Sequence, residues 1–192
     1  MIRKHISFSY KKHKIKRNRD HSWIALIGFM AAGKSRIGWE LSRKLRLNFI
    51  DTDKVVERVS CMNIPDIFET YGETTFREYE TEVIKRCTRL DNALVSTGGG
   101  VVLKEENRLL LKERGPVVRL KVSPETTYLR TRKNKRPLLE VADPIAKIKE
   151  LMAAREEFYA ITSDITIECD GKHSSDIVQE IIDKLGEYNN EH

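Results

Sequence analysis

Gly28-Phe29-Met30-Ala31-Ala32-Gly33-Lys34-Ser35 follows the apolar run Trp23-Ile24-Ala25-Leu26-Ile27 and opens onto a helical pattern that continues to about Leu45. A short buried strand, a glycine-bounded loop ending in Gly-Lys-Ser and a helix make a phosphate-binding P-loop. Gly28 and Gly33 let successive backbone N–H groups turn inward toward phosphate oxygens. Lys34 supplies a point charge for the β- and γ-phosphates of a nucleotide, and the Ser35 hydroxyl is suited to a magnesium ion. A plain strand-to-helix turn would explain both glycines but not Lys34 next to Ser35.

Working outward, Asn48-Phe49-Ile50-Asp51-Thr52-Asp53 reads as a second short strand ending in two carboxylates. Residues two apart in an extended chain share a side, so Asp51 and Asp53 are expected to face one site. The alternative for Asp53 is a cap on a helix starting at Lys54. From Ile64 to Arg89 apolar residues recur at helical spacing with a break at Gly72, which predicts two successive helices on a sheet. Arg77 lies in the second. Glu73, four residues earlier, permits an ordinary surface ion pair, the usual fate of a helical arginine, and spacing alone favours that over a functional role.

Ala93-Leu94-Val95-Ser96 predicts a third strand, followed by Thr97-Gly98-Gly99-Gly100. Three glycines in a row imply close approach by another backbone or a ligand. Helix Glu105 to Arg114, strand Val117 to Val122 and a helix start at Ser123-Pro124 continue the alternation of a parallel α/β sheet. The cluster Arg130-Thr131-Arg132-Lys133-Asn134-Lys135-Arg136-Pro137 is either a solvated helix end or a lid that closes over a nucleotide, and the lid is the preferred reading. Asp143-Pro144 opens a helix carrying Arg155 near its end, Asp164 to Cys169 is a last strand, and Ser174 to Leu185 a last helix with Ser174 or Ser175 as its cap.

The chain has 192 residues and a net charge of +6. Arg3, Lys4, Lys11, Lys12, Lys14, Lys16, Arg17 and Arg19 stand against Asp20 alone in residues 1–22, so this tail holds the whole excess. Residues 1–22 read as a flexible basic extension, and 23–188 as one domain large enough to fold without disulfides or structural metals. The tail lacks the apolar core of a secretory signal. Its scarcity of acid is transit-peptide-like, but lysine outnumbers arginine and serine is sparse; a polyanion-binding arm, an upstream start and a dispensable extension stay open. Cys61, Cys87 and Cys169 form no C-x-x-C pair, which points to a reducing compartment, and no run is long enough to span a bilayer.

Seven motifs in register resemble the shikimate kinase family over about Trp23 to Leu185: GFMAAGKS at 28–35, FIDTD at 49–53, IFETYGETTFREYE at 67–80, STGGGVV at 96–102, LKVSPET at 120–126, KRPLL at 135–139 and REEFY at 155–159. The resemblance implies a three-layer α/β P-loop fold like that of nucleoside monophosphate kinases, with a five-stranded parallel sheet flanked by helices and a short lid. It implies transfer of the ATP γ-phosphate to the 3-hydroxyl of shikimate, in the chorismate branch of aromatic amino acid biosynthesis, with Mg2+ as the metal. Carried over by motif, Asp53, Arg77, Gly98, Gly99, Gly100 and Arg155 are the shikimate-binding positions. Ala31, Ala32, Gly33, Lys34, Ser35, Arg36, Arg136 and Lys172 fall to ATP, Ser35 and Asp51 to the metal, and Lys34, Asp53 and Arg136 to catalysis.

An acidic, polyhydroxylated substrate fits these residues independently, since arginines grip a carboxylate and Asp53 orients a hydroxyl. The sequence departs from the family pattern at Ala31-Ala32, where Gly-Ser is common, at Arg36, where threonine is common, and at Ser96-Thr97, where an aspartate that positions water is absent. The expectation is a cytoplasmic, monomeric enzyme with no membrane or nucleic-acid partner for its core. The rivals are a kinase of another small hydroxy acid such as gluconate, and a nucleotide-sensing module whose basic tail binds polyanions.

Overall fold

The structure is a computed structural model that describes residues 22–132 and 139–191. Five strands form one parallel sheet: β1 (Trp23–Ile27), β2 (Asn48–Asp51), β3 (Ala93–Ser96), β4 (Val117–Lys121) and β5 (Ile165–Glu168), in the order β2-β3-β1-β4-β5. The helices are α1 (Lys34–Leu45), α2 (Thr52–Ser60), α3 (Ile64–Cys87), α4 (Glu105–Arg114), α5 (Pro124–Thr131), α6 (Pro144–Thr162) and α7 (Ser174–Glu191). They flank the sheet on both faces, the three-layer P-loop architecture the sequence predicts.

The continuous apolar run of β1 is explained by its central place, because a strand covered on both faces has no polar side. Trp23, Ala25 and Ile27 pack with Ile67, Val83 and Ile84 of α3, Leu111 of α4 and Ile148 of α6. Ile24 and Leu26 face the other way, onto Ile37 and Leu41 of α1 and Ile177, Ile181 and Leu185 of α7. From β1 the chain moves first to β2 and β3 on one side, then across to β4 and β5. Ligands of such sheets gather beyond the strand C-termini, where the order reverses. The P-loop leaves β1 at that point.

Several predicted boundaries shift. The second strand ends at Asp51, and Asp51, not Asp53, caps the next helix: its side chain accepts the N–H groups of Asp53 and Lys54. The two carboxylates therefore meet through a cap and a first helical turn rather than through strand alternation. The break at Gly72 is present as a kink within α3, with φ 79°. Ser123 and Asp143 cap α5 and α6 as the sequence predicts. Ser174 is the first residue of α7, which runs past the expected Leu185 to Glu191. Cys61, Cys87 and Cys169 are free thiols. The basic tail, residues 1–21, and the lid segment 133–138 lie outside the described residues, so the readings placed on them are not addressed by the fold.

Candidate active site

One open cleft of about 870 Å³ lies beyond the C-terminal ends of the sheet. The P-loop forms one wall and the Gly98–Gly100 turn another. Gly28 is required there by packing: a Cβ on it would stand 2.3 Å from the carbonyl oxygen of Leu120 in β4. Ala31 takes a left-handed conformation, φ 60°, which costs a non-glycine residue about 1 kcal/mol. Lys34, almost buried, donates from Nζ to the carbonyl oxygens of Gly28 at 2.8 Å and Phe29 at 2.9 Å. The loop's lysine thus stands over the loop's own backbone.

Ser35 Oγ donates to Asp51 Oδ2 at 2.5 Å, while Asp51 Oδ1 accepts the Asp53 N–H at 3.1 Å. A hydroxyl and a carboxylate side by side at the cleft are hard oxygen donors of the kind magnesium takes, with water and phosphate completing its shell. These two residues therefore fit a magnesium ion. No group of three or more His, Cys, Asp or Glu ligands occurs among the described residues, as an ion held mostly by phosphate and water does not require one.

Opposite the P-loop, the side chains of Asp53, Glu80, Arg77 and Arg155 converge on the triple glycine. A Cβ at Gly98 would lie 2.7 Å from both Asp53 Oδ1 and Glu80 Oε1, and one at Gly100 would lie 2.2 Å from Arg77 Nη1. Arg155 Nη1 donates to the Gly99 carbonyl at 3.3 Å. A Cβ at Gly99 would meet the Met30 N of the P-loop at 3.1 Å. The turn is glycine because charged side chains and another backbone already occupy the space a side chain would need. Thr52 Oγ1 accepts the Gly98 N–H at 3.1 Å, fixing the turn to the start of α2.

Arg77 is no surface residue. Its guanidinium does meet Glu73, at 2.9 Å, but it also meets Glu80 at 2.8 Å, and the Glu80 side chain is only 1% exposed. Burial works against the Arg77 charge, yet Glu80 and Glu73 together keep it protonated beyond its ordinary range. Burial pushes the Glu80 carboxyl up from its ordinary value, against the pull of Arg77 and with help from Asp53. Phe76, Phe68, Ile64 and Pro65 supply apolar lining beside these charges.

The structure thus brings Ala31, Gly33, Lys34, Ser35, Arg36, Asp51, Asp53, Arg77, Gly98, Gly99, Gly100 and Arg155 to one cleft. Ala32 is buried in the loop beneath. Arg36 pairs with Glu40 and also donates to Ser174 Oγ at 3.2 Å. Lys172, in the turn after β5, is engaged with Glu180 at 2.5 Å and is not among the residues lining the cleft. Arg136 lies outside the described residues. Among the lining residues given no individual role from the sequence are Glu80 and Arg130. Glu80 sits three residues after Arg77, a helical spacing that signals a partner. Arg130, in α5, donates to the Ala31 carbonyl at 3.0 Å; only the packing of α5 against the P-loop reveals it within its basic cluster.

A family model for shikimate kinase matches residues 30–186. The shikimate kinase of Deinococcus radiodurans is 52% identical over 167 residues, 87% of this chain and 85% of that protein. The chain belongs to the shikimate kinase family. A Thermus thermophilus shikimate kinase is 41% identical over 169 residues, 87% of this chain and 91% of the relative. The solved shikimate kinase from Acinetobacter baumannii, in complex with shikimate, superposes with a TM-score of 0.84 at 36% identity, covering 87% of this chain and 94% of that one. A gluconokinase from Sinorhizobium meliloti, with a TM-score of 0.55 and 15% identity over 91% of this chain and 97% of its own, shares the fold alone. Among the described residues no helix is long and apolar enough to cross a membrane.

Proposed function

We propose that this chain transfers the γ-phosphoryl group of ATP to the 3-hydroxyl of shikimate, giving shikimate 3-phosphate and ADP. The observation that carries this reading is the convergence of Asp53, Arg77 and Arg155 on the Gly98–Gly100 turn, in the same cleft as Lys34 and Ser35. Two guanidinium groups suit a carboxylate, since the planar fork of arginine pairs with two oxygens at once. A carboxylate beside them suits a hydroxyl. Gluconate also offers both groups, but the gluconokinase named above shares only the fold with this chain.

In the reaction Arg77 and Arg155 hold the substrate's carboxylate, and Asp53 accepts the hydrogen bond of the attacking hydroxyl, taking its proton as the new O–P bond forms. Phosphoryl transfer through a loose transition state asks mainly for alignment and charge stabilisation. Lys34 turns from the loop carbonyls to the β- and γ-phosphate oxygens, and the loop N–H groups follow them. Ser35 and Asp51 would hold magnesium, which would supply charge neutralisation on the phosphates. Arg136 is assigned to the ATP phosphates, and Arg36, at the cleft, to the nucleotide. The free thiols accord with a reducing, cytoplasmic location.

The experiment is a coupled ADP assay with ATP and magnesium, offering shikimate, gluconate or no acceptor. Turnover is expected with shikimate, with gluconate at the blank rate. Equal or greater turnover with gluconate would transfer the site to the rival acid. No turnover with either, together with salt-sensitive polyanion binding lost on removing residues 1–22, would favour the sensing module instead.

A further inference from the structure

Of the seven motifs quoted from the sequence, REEFY at 155–159 contributes Arg155 to the site and leaves its tyrosine without a role. Tyr159 lies one helical turn after Arg155 on α6 and is 2% exposed. Its hydroxyl donates to the Gly99 carbonyl oxygen at 2.5 Å, the same atom that accepts from Arg155 Nη1 at 3.3 Å. Burial pushes the phenol's pKa well up, against the pull of Arg155 and Arg119, so it stays a neutral donor.

The ring is held as firmly as the hydroxyl. The Arg119 guanidinium stands 5.0 Å from the Tyr159 ring centroid and is clamped by both Glu156 oxygens, at 2.9 and 2.6 Å. Arg119 belongs to β4 and Glu156 to α6, so strand and helix together fix the phenol. Gly99 in turn packs against the P-loop at Met30. Across this chain of contacts α6 sets where the triple-glycine turn stands.

The two bonds to Gly99 are unequal. The short one comes from Tyr159; the long one comes from Arg155, whose guanidinium has five N–H donors in a fixed fork. We propose that Tyr159 is a positioning residue for substrate binding: by satisfying the Gly99 carbonyl, it leaves Arg155 turned toward the substrate's carboxylate rather than drawn onto the turn. Without the hydroxyl, the part-buried Gly99 oxygen keeps Arg155 as its remaining side-chain donor among the described residues. The turn and the substrate then compete for one guanidinium. This inference rests on the reading of Arg155 as a carboxylate grip.

Tyr159→Phe removes one oxygen and keeps the ring beneath Arg119. Its KM for shikimate is expected to rise about 3- to 10-fold, the size of one lost hydrogen bond, with KM for ATP within about twofold of wild type. A purely structural tyrosine would lower the active fraction, and hence the apparent kcat, without separating the two KM values. In an Arg155→Lys background, Tyr159→Phe is expected to change KM for shikimate by less than half its effect in wild type, since its action runs through Arg155. Unchanged KM for shikimate, an equal rise for both substrates, or full additivity with Arg155→Lys would each overturn the proposal. Wild-type protein that does not turn over shikimate would overturn the reading of the site, and the proposal with it.

Discussion

Lys34→Ala is expected to lower kcat by roughly a hundred- to a thousand-fold while KM for shikimate stays within about threefold of wild type. The magnitude is that of removing one preorganised charge donor from a transition state, about 2.7–4 kcal/mol. The selectivity follows from position: Lys34 belongs to the P-loop wall of the cleft, whereas the acid-binding groups belong to the opposite turn. Lys34→Arg is not expected to rescue. The Nζ fits between the Gly28 and Phe29 carbonyls in a nearly buried position, and a planar fork does not fit where a compact ammonium does. Steady-state kinetics on the purified variants check this, and a Lys34→Ala enzyme retaining more than a tenth of wild-type kcat would remove Lys34 from the transition state.

Arg77→Ala is expected to act twice, on stability and on affinity. It strands the Glu80 carboxylate, whose Oε2 meets Arg77 at 2.8 Å and whose Oε1 has no hydrogen-bond partner among the described residues. Removing one partner of a buried ion pair costs about 3–5 kcal/mol. The penalty has a definite pH sense. With Arg77 gone the Glu80 carboxyl is raised further above its unfolded value, so folded protein holds the proton more tightly. The penalty is therefore small below the ordinary carboxylate range and grows as pH rises through the raised folded value.

The second effect, loss of one charged grip on the substrate, is worth about 1.5–3 kcal/mol, or roughly 10- to 100-fold in KM for shikimate. Adding Glu80→Gln separates the two. Arg77→Ala/Glu80→Gln should regain most of the stability read by urea unfolding at neutral pH and none of the affinity. Recovery of KM in the double variant would show that Arg77 only stabilises the fold.

The sequence made the architecture legible because the inner strands β1, β3 and β4 are short, largely apolar runs separated by helical patterns and glycine or proline turns. The P-loop could be read residue by residue, since few other arrangements demand Lys34 and Ser35 after such glycines. The triple glycine announced a close approach, but not what approached: Asp53, Glu80 and Arg77 arrive from helices distant in the chain, and contact across folded elements leaves no local period. For the same reason Arg77 looked like half of a surface pair. Glu73 is its visible neighbour, while burial of Glu80 depends on how α3 packs. The capping role of Asp51 was hidden for a different reason: it is the last residue of β2 and the helix begins one residue later, so strand end and helix cap coincide. Tyr159 is core, and its hydroxyl's partner is fixed only by tertiary structure.

The most direct measurement identifies the product. Protein, ATP, magnesium and shikimate are incubated together, and phosphorus-to-proton couplings are read by NMR. The account predicts a new phosphorus resonance coupled to the proton on carbon 3 of shikimate, growing in step with ADP. ADP accompanied only by inorganic phosphate, at the same rate with or without shikimate, would contradict it.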